Sequence, residues 1–186
     1  MEAEGENGSA LRSVQMIAAR TILRRLAFLL VASFLIVPIK ADERPVQADY
    51  ILVLKSERRL VLLHDGVALK SFWIALGRHP EGIKTAAGDG RTPEGVYRID
   101  ARDRNSYFHR ALHISYPSDA DRERASRAGV DPGGNIRIHG VPPGFGPDGP
   151  GERMFDWTDG CIAVTNADMD EIWARVPLGT AIEIRP

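Results

Sequence analysis

From Asp49 onward the chain is a succession of short apolar runs, each cut off by turn residues before it can make a long helix. Tyr50-Ile51-Leu52-Val53-Leu54 is the first run. After a polar turn at Ser56-Glu57-Arg58 comes Arg59-Leu60-Val61-Leu62-Leu63. His64-Asp65-Gly66 then turns the chain into Val67 to Leu76. Asp-Gly between apolar runs is a hairpin signal, so these segments predict a meander of three antiparallel strands. Further strand runs are Val96–Ile99, Ala111–Tyr116, Asn135–His139, Cys161–Val164 and Thr180–Ile184. Two stretches read differently. Ser118 can cap a polar surface helix over 119–128, with Gly129 as its stop. Thr165 or Asn166 caps a second helix, whose stripe Met169, Ile172, Trp173 and Val176 follows helical spacing and reads as core. Pro177-Leu178-Gly179 ends it. The expectation is one mostly β domain over 49–186 with two short helices.

The N-terminal part has a different character. Arg20, Arg24 and Arg25 precede Leu26 to Ile39, an apolar run broken only by Ser33 and Pro38. Charge followed by a short apolar run is the layout of a signal peptide, with a membrane anchor as the alternative. The run is short beside the roughly 20 residues that a spanning helix needs. Residues 1–41 therefore read as tail and export segment, and 42–48 as a linker. An exported chain belongs in the periplasm or cell envelope.

Composition narrows the function classes. Net charge is −1 and no basic stripe runs through the domain, which argues against a nucleic-acid partner. A single cysteine cannot form an internal disulfide. The glycine-rich stretch Gly88-Asp89-Gly90-Arg91-Thr92-Pro93-Glu94-Gly95 matches neither the dinucleotide fingerprint nor the P-loop, and no helix follows it. It reads as a structural turn. His109 and His113 are four apart, but on a strand-like segment that lacks the HExxH glutamate, so no metal site is expected. No cofactor motif is present.

Two strand ends carry the chemistry. Asn135-Ile136-Arg137-Ile138-His139-Gly140 ends on a histidine, and Asp156-Trp157-Thr158-Asp159-Gly160-Cys161 leads a small-residue turn into the lone cysteine. Alternation sends Ile136 and Ile138 one way and Arg137 and His139 the other. It likewise separates Ile162 and Val164 from Cys161 and Ala163. If the strands are neighbours, thiol and imidazole leave one face together. A free thiol is mostly protonated at neutral pH, with a pKa of about 8.5. An imidazole in contact can take its proton and hold a thiolate. Backbone N–H groups of the Thr158-Asp159-Gly160 turn can then face a developing oxyanion. Asp156, Asp159 or the Gly140 carbonyl can orient His139. Between the two strand ends, Val141 to Trp157 is rich in proline and glycine, and Phe145, Met154, Phe155 and Trp157 suggest a folded lid.

With these residues in order, the sequence resembles the L,D-transpeptidase catalytic domain family, the YkuD-like proteins. The resemblance runs from about Asp49 to Pro186. It rests on Ile138-His139-Gly140, Gly160-Cys161-Ile162, the Gly-Asp-Gly-Arg-Thr-Pro-Glu-Gly turn with Tyr97 and Ile99, and His113-Ile114-Ser115-Tyr116-Pro117. It implies a YkuD-like β-sandwich and a cysteine acyltransferase acting on peptidoglycan stem peptides. Cys161 would form the acyl-enzyme. His139 would be the base, its ring held by the Gly140 carbonyl. An amine acceptor would give 3→3 cross-links; water would make the enzyme an L,D-carboxypeptidase, and another amine a protein-anchoring transpeptidase. Thr158 stands where many members have serine, and Ala163 where many have arginine. Arg137 is a substitute for that arginine, and Trp157 and His113 are further substrate-binding candidates. Outside the family the alternatives are a general cysteine peptidase or amidase, and a non-catalytic cell-wall binding module with a buried thiol.

Overall fold

The computed structural model describes residues 45–144 and 155–186. The expected export segment, and Phe145 and Met154 of the expected lid, lie outside these described residues.

Eight strands and two helices follow one another in the described chain. The strands are β1 (Tyr50–Leu54), β2 (Arg59–His64), β3 (Val67–Trp73), β4 (Gly95–Asp103), β5 (Ala111–Ile114), β6 (Arg137–His139), β7 (Ile162–Ala163) and β8 (Ala181–Arg185). Helix α1 spans Asp119–Ala128 and lies between β5 and β6; α2 spans Asn166–Arg175 and lies between β7 and β8. Strand order is β3-β2-β1-β8-β4-β5-β6-β7. The meander is there, and β8 inserts beside β1 in parallel and beside β4 antiparallel. Among the described residues no helix is long and apolar enough to cross a membrane.

The expected strand over 67–76 is divided in two. It leaves β2 after Trp73, and the next residues change partner. Ala75 exchanges both backbone hydrogen bonds with Ala163 at 2.9 Å, and Leu76 and Arg78 bond to Thr158. The far edge of the sheet is thereby joined to the chain just past β3. One continuous order of strands curls into a half-barrel, so the mostly β class and the two short helices are as expected, while the strands form one sheet.

Alternation along the strands fills the inside of the curl. Ile51 and Val53 of β1, Leu60 and Leu62 of β2, Ile182 and Ile184 of β8 all point inward and are almost fully buried. Met169, Ile172 and Val176 of the α2 stripe join them, with Trp173 packed at the edge. Each such side chain contributes about 1.5–3 kcal/mol by leaving water.

Helix α1 starts as its sequence directs. Ser118 accepts from the Asp121 backbone N–H, the Asp121 carboxylate accepts from Ser118, and Gly129 closes the helix in the left-handed region. One of its acids is not a surface group. Asp121 is only 4% exposed and accepts from the Tyr97 hydroxyl at 3.0 Å and from Arg124 at 2.9 Å, fastening the polar helix to β4.

Candidate active site

β6 and β7 are parallel neighbours, with Ile138 beside Ile162 and His139 beside Ala163. That register puts Cys161, just before β7, level with Arg137 and two residues short of the level of His139. Thiol and imidazole open into one cleft of about 400 Å³. Arg137, Trp157, Thr158 and Asp159 also line it, and so do Asp103 at the end of β4 and Asn105, Ser106, Tyr107 and Phe108 of the β4–β5 connection.

The imidazole is fixed from three sides. Its Nδ1 donates to the Gly140 carbonyl at 2.6 Å, since a carbonyl can only accept. Nε2 is then the ring's lone-pair nitrogen. Phe108 lies 4.5 Å away, centroid to centroid, and Trp157 approaches edge-on at 5.8 Å. The backbone N–H of Gly140 donates to Phe108 and Arg110 carbonyls. A Cβ at residue 140 would meet the Asn166 side-chain oxygen at 2.3 Å and the Phe108 carbonyl at 3.1 Å, so a larger residue would push Asn166 aside. That same oxygen accepts from the Val141 N–H at the start of the intervening loop. Asp156 and Asp159 do not hold the ring. Asp156 takes Arg58 through both carboxylate oxygens and the Leu76 N–H at 2.8 Å. Asp159, mostly exposed, pairs with Arg78.

The turn before the cysteine is equally constrained. Thr158 Oγ1 donates to the Cys161 carbonyl at 2.7 Å and accepts from the Gly160 N–H at 3.1 Å. The hydroxyl that replaces serine thus closes the turn on itself. Gly160 has φ +126°, and a Cβ there would meet the Arg91 carbonyl at 2.5 Å. The glycine-rich stretch is therefore the wall against which the cysteine turn is built. The Thr158 N–H is bonded to Leu76 and that of Gly160 to Thr158. Within the turn this leaves the N–H groups of Asp159 and Cys161 as the oxyanion candidates, fewer than expected.

Electrostatics give a neutral resting pair. Burial pulls His139 below the ordinary imidazole range, and Arg137 adds to this; the bond to Gly140 works the other way without reversing it. Burial pushes the Cys161 thiol up, and the backbone hydrogen bond and charge of Arg137 only reduce the rise. The thiol donates to the Asn135 carbonyl at 3.8 Å. Both shifts favour thiol and neutral imidazole as the resting forms, because both groups sit out of water.

His113 does not line the cleft. It bonds to Asp100 at 2.6 Å and lines a small adjoining cavity that shares Asp103 and Arg137 with the cleft. His109 bonds to Asp170 instead, so the two histidines serve different carboxylates. Ala163 is buried and paired to Ala75, and it does not line the cleft. The wall contributed by Tyr107 and Phe108 was not anticipated. Its only signal is two adjacent aromatic residues in an otherwise polar connection between strands.

The model of the YkuD L,D-transpeptidase catalytic domain matches residues 48–184. The chain belongs to that family. Among solved structures, this YkuD domain is similar to the helical cell shape determining protein Pgp2 from Campylobacter jejuni. Identity is 23%, the TM-score is 0.57, and the match covers 76% of this chain and 48% of that one. Bd1075 from Bdellovibrio bacteriovorus is similar at 22% identity and a TM-score of 0.53, covering 75% of this chain and 48% of that one. Ldtfm, as its avibactam carbamoyl enzyme, is similar at 16% identity and a TM-score of 0.51, covering 76% and 50%. The YkuD chain therefore spans about half the length of these structures, and at such identities the likeness is one of fold. No curated protein matches the sequence.

Proposed function

We propose that the protein is an L,D-transpeptidase that acylates Cys161 with a peptidoglycan stem peptide and passes the acyl group to an amine, giving 3→3 cross-links. One observation carries this reading. The lone thiol and an imidazole whose Nδ1 is committed to a carbonyl share a single cleft.

In the first step the Sγ proton moves to Nε2 of His139 as the sulfur attacks the scissile carbonyl carbon. The oxyanion is met by backbone N–H groups of the Asp159–Cys161 turn. The imidazolium then protonates the leaving nitrogen, the C–N bond breaks, and a thioester remains. In the second step His139 takes a proton from the acceptor amine, which attacks the thioester carbonyl; the sulfur leaves and is reprotonated. A neutral thiol and a neutral base are the correct starting forms for this sequence. Gly140 holds the base and Thr158 holds the turn. Trp157 and Arg137 lie where substrate would pack.

With water as acceptor the same thioester gives an L,D-carboxypeptidase, and with an amine on another protein an anchoring reaction. A substrate of this kind places the enzyme in the cell envelope, reached through the export or anchor segment in residues 1–41. A role in cell shape, for which Pgp2 is described, would follow from altered cross-linking. Incubation with purified muropeptides, with products resolved by mass, tests the proposal. New cross-linked dimers are expected; hydrolysed stems alone select the carboxypeptidase, and unchanged muropeptides contradict the reading.

A further inference from the structure

Among the described residues that line the cleft, Arg137 is the one permanent cation. Its donors are only partly used. Nε donates to Asn135 Oδ1 at 2.8 Å, Nη1 reaches Asp103 Oδ2 at 3.3 Å, and Nη2 has no hydrogen-bond partner among the described residues. The Asp103 pair is long and open to water, with side-chain exposures of 33% for Arg137 and 46% for Asp103. Such a pair is weak and exchangeable. The guanidinium is also well placed. Arg137 lies opposite His113 on β5 and one residue before Ile138, whose partner is Ile162, so it stands beside Cys161.

We propose that Arg137 is a specificity-determining residue that receives a carboxylate of the donor peptide beside the sulfur, displacing Asp103. The inference rests on the reading of the cleft as a donor-peptide site. A planar guanidinium presents Nη1 and Nη2 as a fork that fits both oxygens of a carboxylate. Asp103 engages one tine, leaving the geometry that a better-placed carboxylate would complete. Asn135 keeps the arm aligned by holding Nε, from a backbone at φ +58° that few side chains adopt. It acts as a positioning residue. Phe108 and Trp157 line the same cleft, so a carboxylate held there would have an aromatic wall beside it. Position 163 offers no alternative, because Ala163 is enclosed between β6 and Ala75.

Two small alkylating reagents test this without any peptide. Iodoacetate and iodoacetamide form the same Sγ–CH₂ bond and release the same iodide, but only iodoacetate carries a carboxylate next to the reacting carbon. The readout is the ratio of their second-order rates at Cys161 in the full chain, so a general change in thiol reactivity cancels. Arg137→Gln should lower the iodoacetate-to-iodoacetamide ratio about tenfold, the scale of one hydrogen bond to a charged group. Arg137→Lys, which keeps charge but not the fork, should fall between. Asp103→Asn should raise the ratio. Equal ratios in the wild type, Arg137→Lys and Asp103→Asn would overturn the proposal even if Arg137→Gln failed to fold. Because muropeptide turnover is measured separately, failure here leaves the transpeptidase reading standing, and failure there leaves this ratio decisive for Arg137.

Discussion

His139 and Cys161 are both displaced from their solution behaviour by the same cause, removal from water, and in opposite directions. The sign follows directly. A base held below the ordinary value of about 6.5 is neutral throughout the physiological range, and a thiol held above its ordinary value stays protonated there. Acylation, measured as kcat/KM against pH, should therefore be flat across neutral pH, with its acid limb below pH ~6.5. A limb centred above neutrality would show that a standing ion pair is the reactive form. His139→Ala should lower acylation by roughly 10²–10⁴-fold, the range of general base catalysis, while leaving the fold intact by circular dichroism. Thr158→Ser should be nearly silent, because either hydroxyl can bond the Cys161 carbonyl and the Gly160 N–H. Thr158→Val strands both and should cost about 1–3 kcal/mol in urea unfolding.

At the scale of elements, the glycine-rich connection before β4 is the least obvious part of the design. Asp89 accepts from the Lys84 ammonium and from the N–H groups of Thr85, Ala86 and Arg91. Burial works to raise its pKa, but these hydrogen bonds prevail and hold it at about 2. A depressed carboxylate stabilises the fold above its unfolded pKa of about 3.9, and that stability is lost as pH falls toward 2. Asp89→Asn should lower stability at pH 7 by on the order of 2 kcal/mol and flatten the acid unfolding between pH ~4 and ~2. Much of the element pattern was legible from alternation and caps: the meander, the capped helix α1 and the α2 stripe. The division of residues 67–76 was not, because the pattern Val67 to Leu76 is continuous and only the partner strand changes. The cysteine and histidine were legible as strand ends, and their shared cleft follows from the parallel β6–β7 register. The β4–β5 wall was not, since a polar connection carries no periodicity. The buried charges were hidden too, because nothing local distinguishes Asp121 or Lys84 from a surface residue.

For the molecule as a whole, the site exists because the curled sheet brings its two ends together. The Ala75–Ala163 pairing and the Asp156 carboxylate, which joins Arg58 of the β1–β2 turn to Leu76, tie the cysteine turn to the opposite edge of the sheet. Asp156→Ala should therefore lower activity without touching either candidate catalytic side chain, and cost roughly 1–3 kcal/mol in stability by stranding the Arg58 charge and the Leu76 N–H. The central claim is that one imidazole activates one sulfur toward a stem peptide. Intact-mass spectrometry of the full chain after brief exposure to a stem-peptide donor addresses it most directly. The account predicts an adduct on Cys161 with the mass of the acyl fragment, removed by hydroxylamine and absent from Cys161→Ala and, over the same interval, from His139→Ala. A wild-type chain that stays unmodified while the donor is intact, or an adduct that forms equally fast without His139, would contradict it.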